Sequence, residues 1–154
     1  MTSLDLQKSL KRIITTELEG MELTSQEGVI KEVQVFEQHL PRKVKSSSRN
    51  SEETNYPAVI VYLDEGENGQ VKVLLIIATQ DSNGDNEGFH DTLSIAEKLM
   101  QLLIKNPLID EKYEMKDSPK WLYNDQDNYP YYFAWIETIF EIPQILREDV
   151  EAML

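Results

Sequence analysis

From Asp81 to Gly88 the chain reads DSNGDNEG, which puts Asp81, Asn83, Asp85 and Glu87 at every second position among glycines. Alternating oxygen ligands are how a calcium loop begins. Such a loop needs oxygens at positions 1, 3 and 5, a glycine at 6 and a bidentate glutamate at 12. Counted from Asp81, position 6 is Asn86 and position 12 is Thr92, so both defining residues are missing. The flanks read as a strand before and a helix after, where the motif needs two helices. An acidic turn explains the residues better. Gly84 and Gly88 let the chain reverse, Asp and Asn suit turns, and Glu87 and Asp91 favour the positive end of a helix. The expectation is that this loop holds no metal.

Other chemistry is harder still to assemble. His39 and His90 are the only histidines, too few for a His-rich transition-metal site within one chain. There is no Gly-x-Ser-x-Gly, no Gly-Lys-Ser/Thr phosphate loop and no dinucleotide fingerprint. His90 and Asp91 are neighbours in sequence, but relays are built in space, so adjacency says nothing. With 28 acidic residues, carboxylate pairs arise by chance. The sequence selects no catalytic residue, no cofactor and no enzyme class.

The 154 residues suffice for one domain with a substantial core, and 40% hydrophobic with 28% charged residues is ordinary for a folded protein. The net charge of −13 is not ordinary, and it disfavours binding to nucleic acid or anionic membrane. The absence of cysteine excludes disulfides and thiol chemistry and fits a reducing compartment. The first residues, MTSLDLQKSLKR, hold no apolar signal core. The longest aliphatic run, VLLIIA at Val73–Ala78, is far too short to span a bilayer. A cytosolic setting follows as an expectation.

The elements can be read from periodicity. Leu6, Leu10, Ile13, Ile14 and Leu18 predict an amphipathic helix, with Ser3 as its cap and Gly20 as its stop. GVIKEVQVFEQHLP predicts a strand around Val33 and Val35, closed by Pro41. A polar, mobile loop is expected at about 42–55, with basic residues but no interleaved aromatics of the kind nucleic acid stacks on. YPAVIVYLDEGENGQVKVLLIIA predicts a hairpin whose loop is Asp64–Gln70 and whose second strand is covered on both faces. A second helix should carry Phe89, Leu93, Ala96, Met100 and Leu103 on one face, widened by Leu99 and Leu102, and should end at Asn106-Pro107. Strands are expected near Tyr113–Met115 and at Tyr131–Ile142, then a tail at about 144–154.

The last long strand carries the candidate site. Tyr131, Phe133 and Trp135 lie on one face while Tyr132, Ala134 and Ile136 lie on the other. Both faces are therefore apolar at the start. Either helices cover both, or a second subunit covers one. The fold class expected is α+β: a single domain with a mainly antiparallel or mixed sheet, an N-terminal helix and one long helix packed on it.

Several phrases together resemble a known group. NYPAVIVYLDEGEN, the β-rich run ending ATQDSNGDNEGFHDTLSIAEKLMQLLIKNPLID, and YPYYFAWIETIFEIPQI are similar to the tail-terminator and tail-completion (neck) proteins of long-tailed phages and prophages of Gram-positive bacteria. The resemblance covers roughly Leu40 to Ile145. It implies a mixed α/β fold and a structural role, not catalysis. Such proteins form a homo-oligomeric ring, typically hexameric, that caps the tail tube, stops its growth and docks to the head connector. The implied partners are further copies of this chain, the tail tube protein and the head connector protein, with neither membrane nor sequence-specific nucleic acid. The implied place is the virion neck, assembled in the host cytoplasm. Rival readings are another neck component such as a head-completion protein, an acidic small-molecule-binding protein or hydrolase, and a calcium-stabilised module.

Overall fold

In a computed structural model of the chain, residues 2–24, 30–41, 55–81 and 88–143 are described. The expected loop at about 42–55, apart from Asn55, and the expected tail at 144–154 lie outside them.

Helix α1 spans Ser3–Leu18. Its cap is Thr2 rather than Ser3. Asp5 N–H donates to Thr2 Oγ1 at 3.2 Å, and Thr2 N–H donates to Asp5 Oδ2 at 3.0 Å. This reciprocal pair needs an acidic side chain three residues after the cap, and Thr2 has one in Asp5. Gly20 follows the C-cap Glu19 with φ +77°, a conformation glycine adopts without strain. Leu6, Leu10, Ile14 and Leu18, four apart, form a buried stripe.

The remaining elements are β1 (Glu22–Thr24), β2 (Ile30–Glu32), β3 (Gln34–Glu37), β4 (Ala58–Glu67), β5 (Gln70–Gln80), α2 (Phe89–Lys105), β6 (Leu108–Ile109), β7 (Tyr113–Met115), β8 (Lys120–Asn124) and β9 (Tyr131–Glu141). β1 and β2 pair with each other. The main sheet runs β3-β4-β5-β9-β7-β6, and β8 also pairs with β9. β3 is parallel to β4; every other pairing is antiparallel. The expected α+β class and single domain are what the structure shows, with a mixed sheet.

Further expectations need correction. The β4–β5 loop is not Asp64–Gln70. The strands run on to Glu67 and Gln70, and Asn68-Gly69 makes the turn, with Gly69 at φ +100°. Glycine adopts this positive φ without strain, and one residue near Asp64 is absorbed as a bulge. The strand expected around Val33 and Val35 is two strands, β2 and β3, with Val33 between them. The face of α2 is also rotated. Thr92, Ile95, Ala96, Leu99, Leu102 and Leu103 are buried, while Leu93 and Met100 are half-buried.

β3 ends at Glu37, and the next residue, Gln38, has a φ of +63° that turns the main chain away from β4. Its own N–H still donates to Val61 O at 3.0 Å. Its side-chain amide then carries the pairing one step further. Nε2 donates to Leu63 O at 3.1 Å, and Leu63 N–H donates to Oε1 at 2.9 Å. Buried Gln7 of α1 joins the group, donating to Gln38 Oε1 at 3.0 Å and to Val61 O at 2.8 Å. Gln38→Ala strips partners from several of these groups at once. It should cost about 1–3 kcal/mol. Urea unfolding of the variant checks this, and a change below about 0.3 kcal/mol would show that water replaces the amide.

Candidate subunit interface

A strand shows alternate side chains to opposite faces, so the register assigns every residue of the sheet to a side. One side carries Val35, Val59, Val61, Val73, Leu75, Ile77, Ala134, Ile136 and Phe140, all buried. Both helices pack here, α1 over β3 and β4, α2 over β5 and β9. Between β5 and α2, Thr79 and Thr92 share a buried hydroxyl–hydroxyl hydrogen bond of 2.6 Å.

Tyr131, Phe133 and Trp135 lie on the other side. The register sets Phe133 between Ala78 and Asn124, and Trp135 between Ile76 and Leu122. Further across the same face stand Ile60, opposite Ile76, and Phe36, opposite Ile60. Apart from buried Ala78, these residues are half-buried. Tyr56 packs on Tyr131, ring centroids 5.2 Å apart. Among the described residues both helices lie on the opposite side, so this face has no helical cover. β5, expected to be covered on both faces, is packed by helix on one only.

The sequence reading found three residues of this face but not the rest. Phe36, Ile60, Ile76 and Leu122 come from four other strands, and their shared side follows only from the pairing. Their signal was the aliphatic character of β4 and β5 at positions that a one-sided sheet would give to polar side chains.

Towards the β4–β5 turn the same face becomes charged. A shallow cleft of about 280 Å³ there is lined by Glu65, Lys72, Asp117, Lys120 and Glu137 among others. Its lysines and carboxylates alternate, and none of the carboxylates is buried. It has the look of a solvated rim rather than an acid–base site.

Of the acidic stretch, Asp81 and Gly88 are described, and 82–87 lie outside the described residues. Gly88 stands at the start of α2, and a side chain there would run into the ring of Tyr132. Burial raises the pKa of Asp91, and the charge of Asp81 raises it further, against a smaller lowering by His90. The folded state therefore binds this proton more readily than the unfolded chain, and the site gains stability as pH falls through the raised folded pKa towards the lower unfolded value. No group of three or more His, Cys, Asp or Glu that could hold a metal occurs among the described residues. Calorimetry at millimolar calcium should show no saturable binding. A micromolar site lost in Asp81→Ala/Asp85→Ala would contradict this.

No helix among the described residues is long and apolar enough to cross a membrane. No family model matches the chain, and no curated protein does. Fold and surface define a single-domain α+β protein with one helix-covered and one half-open sheet face.

Proposed function

We propose that this protein is a ring-forming tail terminator of a long-tailed phage or prophage. It assembles on the end of the tail tube, stops its growth and offers a surface to the head connector. The observation that carries the reading is the aromatic sheet face around Tyr131, Phe133 and Trp135, which lacks helical cover. Apolar patches of this kind on small proteins mark association sites. Aromatic side chains supply much of the energy when they are buried between subunits. A ring covers such a patch by heterologous contact, each copy meeting the next with a different surface. The net charge of −13 supports the same reading, because DNA must slide through a neck channel without sticking.

The test is assembly on purified tail tubes of the cognate phage. Added during tube growth, the protein should arrest length and appear as a ring at one end by electron microscopy. Tubes that lengthen unchanged, with no density added, would overturn the proposal. Saturable binding of a small molecule with turnover would favour the hydrolase reading.

A further inference from the structure

The half-open face ends at a strand whose outer edge has no partner strand among the described residues. β8 pairs with β9 in unbroken register, Lys120 opposite Glu137 through Asn124 opposite Phe133, and with no other strand. Its hydrogen-bonding parity follows from its neighbours. Asp81 N–H donates to Pro130 O at 2.8 Å and Ile142 N–H to Gly69 O at 3.1 Å, so even-numbered residues of β9 bond towards β5. Odd-numbered residues bond the other way, as Lys116 N–H to Ile139 O at 2.7 Å agrees. Lys120, Leu122 and Asn124 face odd-numbered residues and spend their backbone groups on β9. The backbone groups of Trp121 and Tyr123 therefore point outward. Trp121 is also 44% exposed, unusual for its type.

The far end of the sheet path is β3, which pairs with β4 alone among the described strands. Gln34 N–H donates to Pro57 O and Gln38 N–H to Val61 O, both at 3.0 Å. In β3 the outward groups are therefore those of Val35 and Glu37. Two features make these edges fit each other. β8 runs antiparallel to β9, which runs with β4 and β3, so a sheet continued from β8 into the β3 of another copy is antiparallel. The outward residues on both strands, Trp121 and Tyr123 on one and Val35 and Glu37 on the other, belong to the helix-covered side. Continuation thus keeps helix side with helix side and half-open face with half-open face.

We propose that β8 of one subunit pairs with β3 of the next, with Tyr123 opposite Val35 and Leu122 opposite Phe36. This rests on the ring-forming reading and adds to it an edge contact, separate from the covering of the aromatic face. Strand addition supplies main-chain hydrogen bonds, and matched apolar pairs fix the register. Charge helps. Residues 112–120 carry Lys112, Lys116 and Lys120 against Glu114 and Asp117, a local +1 that favours contact with another −13 chain.

The chain has no cysteine, so an engineered pair reports without background. In this register Gln34 and Asn124 fall opposite each other as a non-hydrogen-bonded pair, the closer kind. The double variant Gln34→Cys/Asn124→Cys, oxidised after assembly on tail tubes, should give a ladder of covalent oligomers, and each single variant none. Trp121→Pro removes an outward N–H without touching the β9 ladder and should abolish assembly. Trp121→Val restores that N–H and should recover it. If the double variant assembles uncrosslinked, or folded Trp121→Pro assembles normally, the edge contact is wrong. The same holds if Trp121→Val fails along with Trp121→Pro. If wild type itself never rings the tube, the tail-terminator reading falls, and this contact with it.

Discussion

A Trp135→Glu chain should fold, keep its circular dichroism spectrum, and fail to associate or to cap tail tubes. Trp135 stands mid-strand on β9 between Ile76 and Leu122, on the side away from both helices. Glutamate there keeps the strand, whose backbone bonds are shared with β5 and β8. It replaces the largest apolar side chain of the face with a charge. A buried interface tryptophan is commonly worth about 2–4 kcal/mol, roughly 30- to 1,000-fold in association. A carboxylate facing an apolar partner adds its desolvation cost. In the proposed ring the loss would recur in every copy, so even the lower figure should abolish capping. Purified protein alone need not be the reference state, since a terminator can close its ring on the tube. Light scattering of the free protein should therefore be paired with electron microscopy of tubes. A folded Trp135→Glu protein that caps tubes normally would sink the interface and leave this face to be explained as intramolecular core.

Leu103→Ala should destabilise the subunit by roughly 2–5 kcal/mol. Leu103 is 2% exposed and sits in the core cluster with Leu99, Ile136 and Phe140. Truncation removes buried methyl groups and leaves a cavity that a helix locked against a sheet cannot fully close. For a domain of this size the loss corresponds to a melting shift of about 4–20 °C. Half-buried Leu93 should lose clearly less when truncated. A Leu103→Ala change below about 0.5 kcal/mol would mean that α2 does not pack as described.

The contrast between Leu103 and Leu93 shows how much of α2 was legible. Seventeen residues of helical periodicity, with Asn106-Pro107 after them, marked the element and its end. They did not fix which arc faces the sheet. The apolar stripe is broad, and the hydroxyl of Thr92, paired with Thr79, draws the buried arc towards Ile95 and Leu99. β9 was legible because its eleven residues are rich in aromatic and β-branched side chains and a proline follows at Pro143. β8 was not, because KWLYN is short and has no clean alternation of its own. The parallel β3–β4 pairing escaped for a different reason. Its partners lie more than twenty residues apart, and no local pattern encodes a distant neighbour. The candidate face was named through its three aromatics on one strand. Its other members could be assigned only once the register placed Phe36, Ile60, Ile76 and Leu122 beside them.

The side chain of Gln38 acts as a peptide group supplied from outside the main chain. It offers Leu63 the donor and acceptor that a further β3 residue would have offered. The strand's phase on β4 is thus clamped by a residue the chain has already turned away from. Sliding β3 by one position would break the two amide bonds to Leu63, disturb the Gln7 bonds and invert the sides of Val35 and Phe36. Length changes in the sequence after Pro41 should therefore stop at this clamp. Insertions there, whether natural or made to carry a label, can be absorbed without shifting the edge that β3 presents.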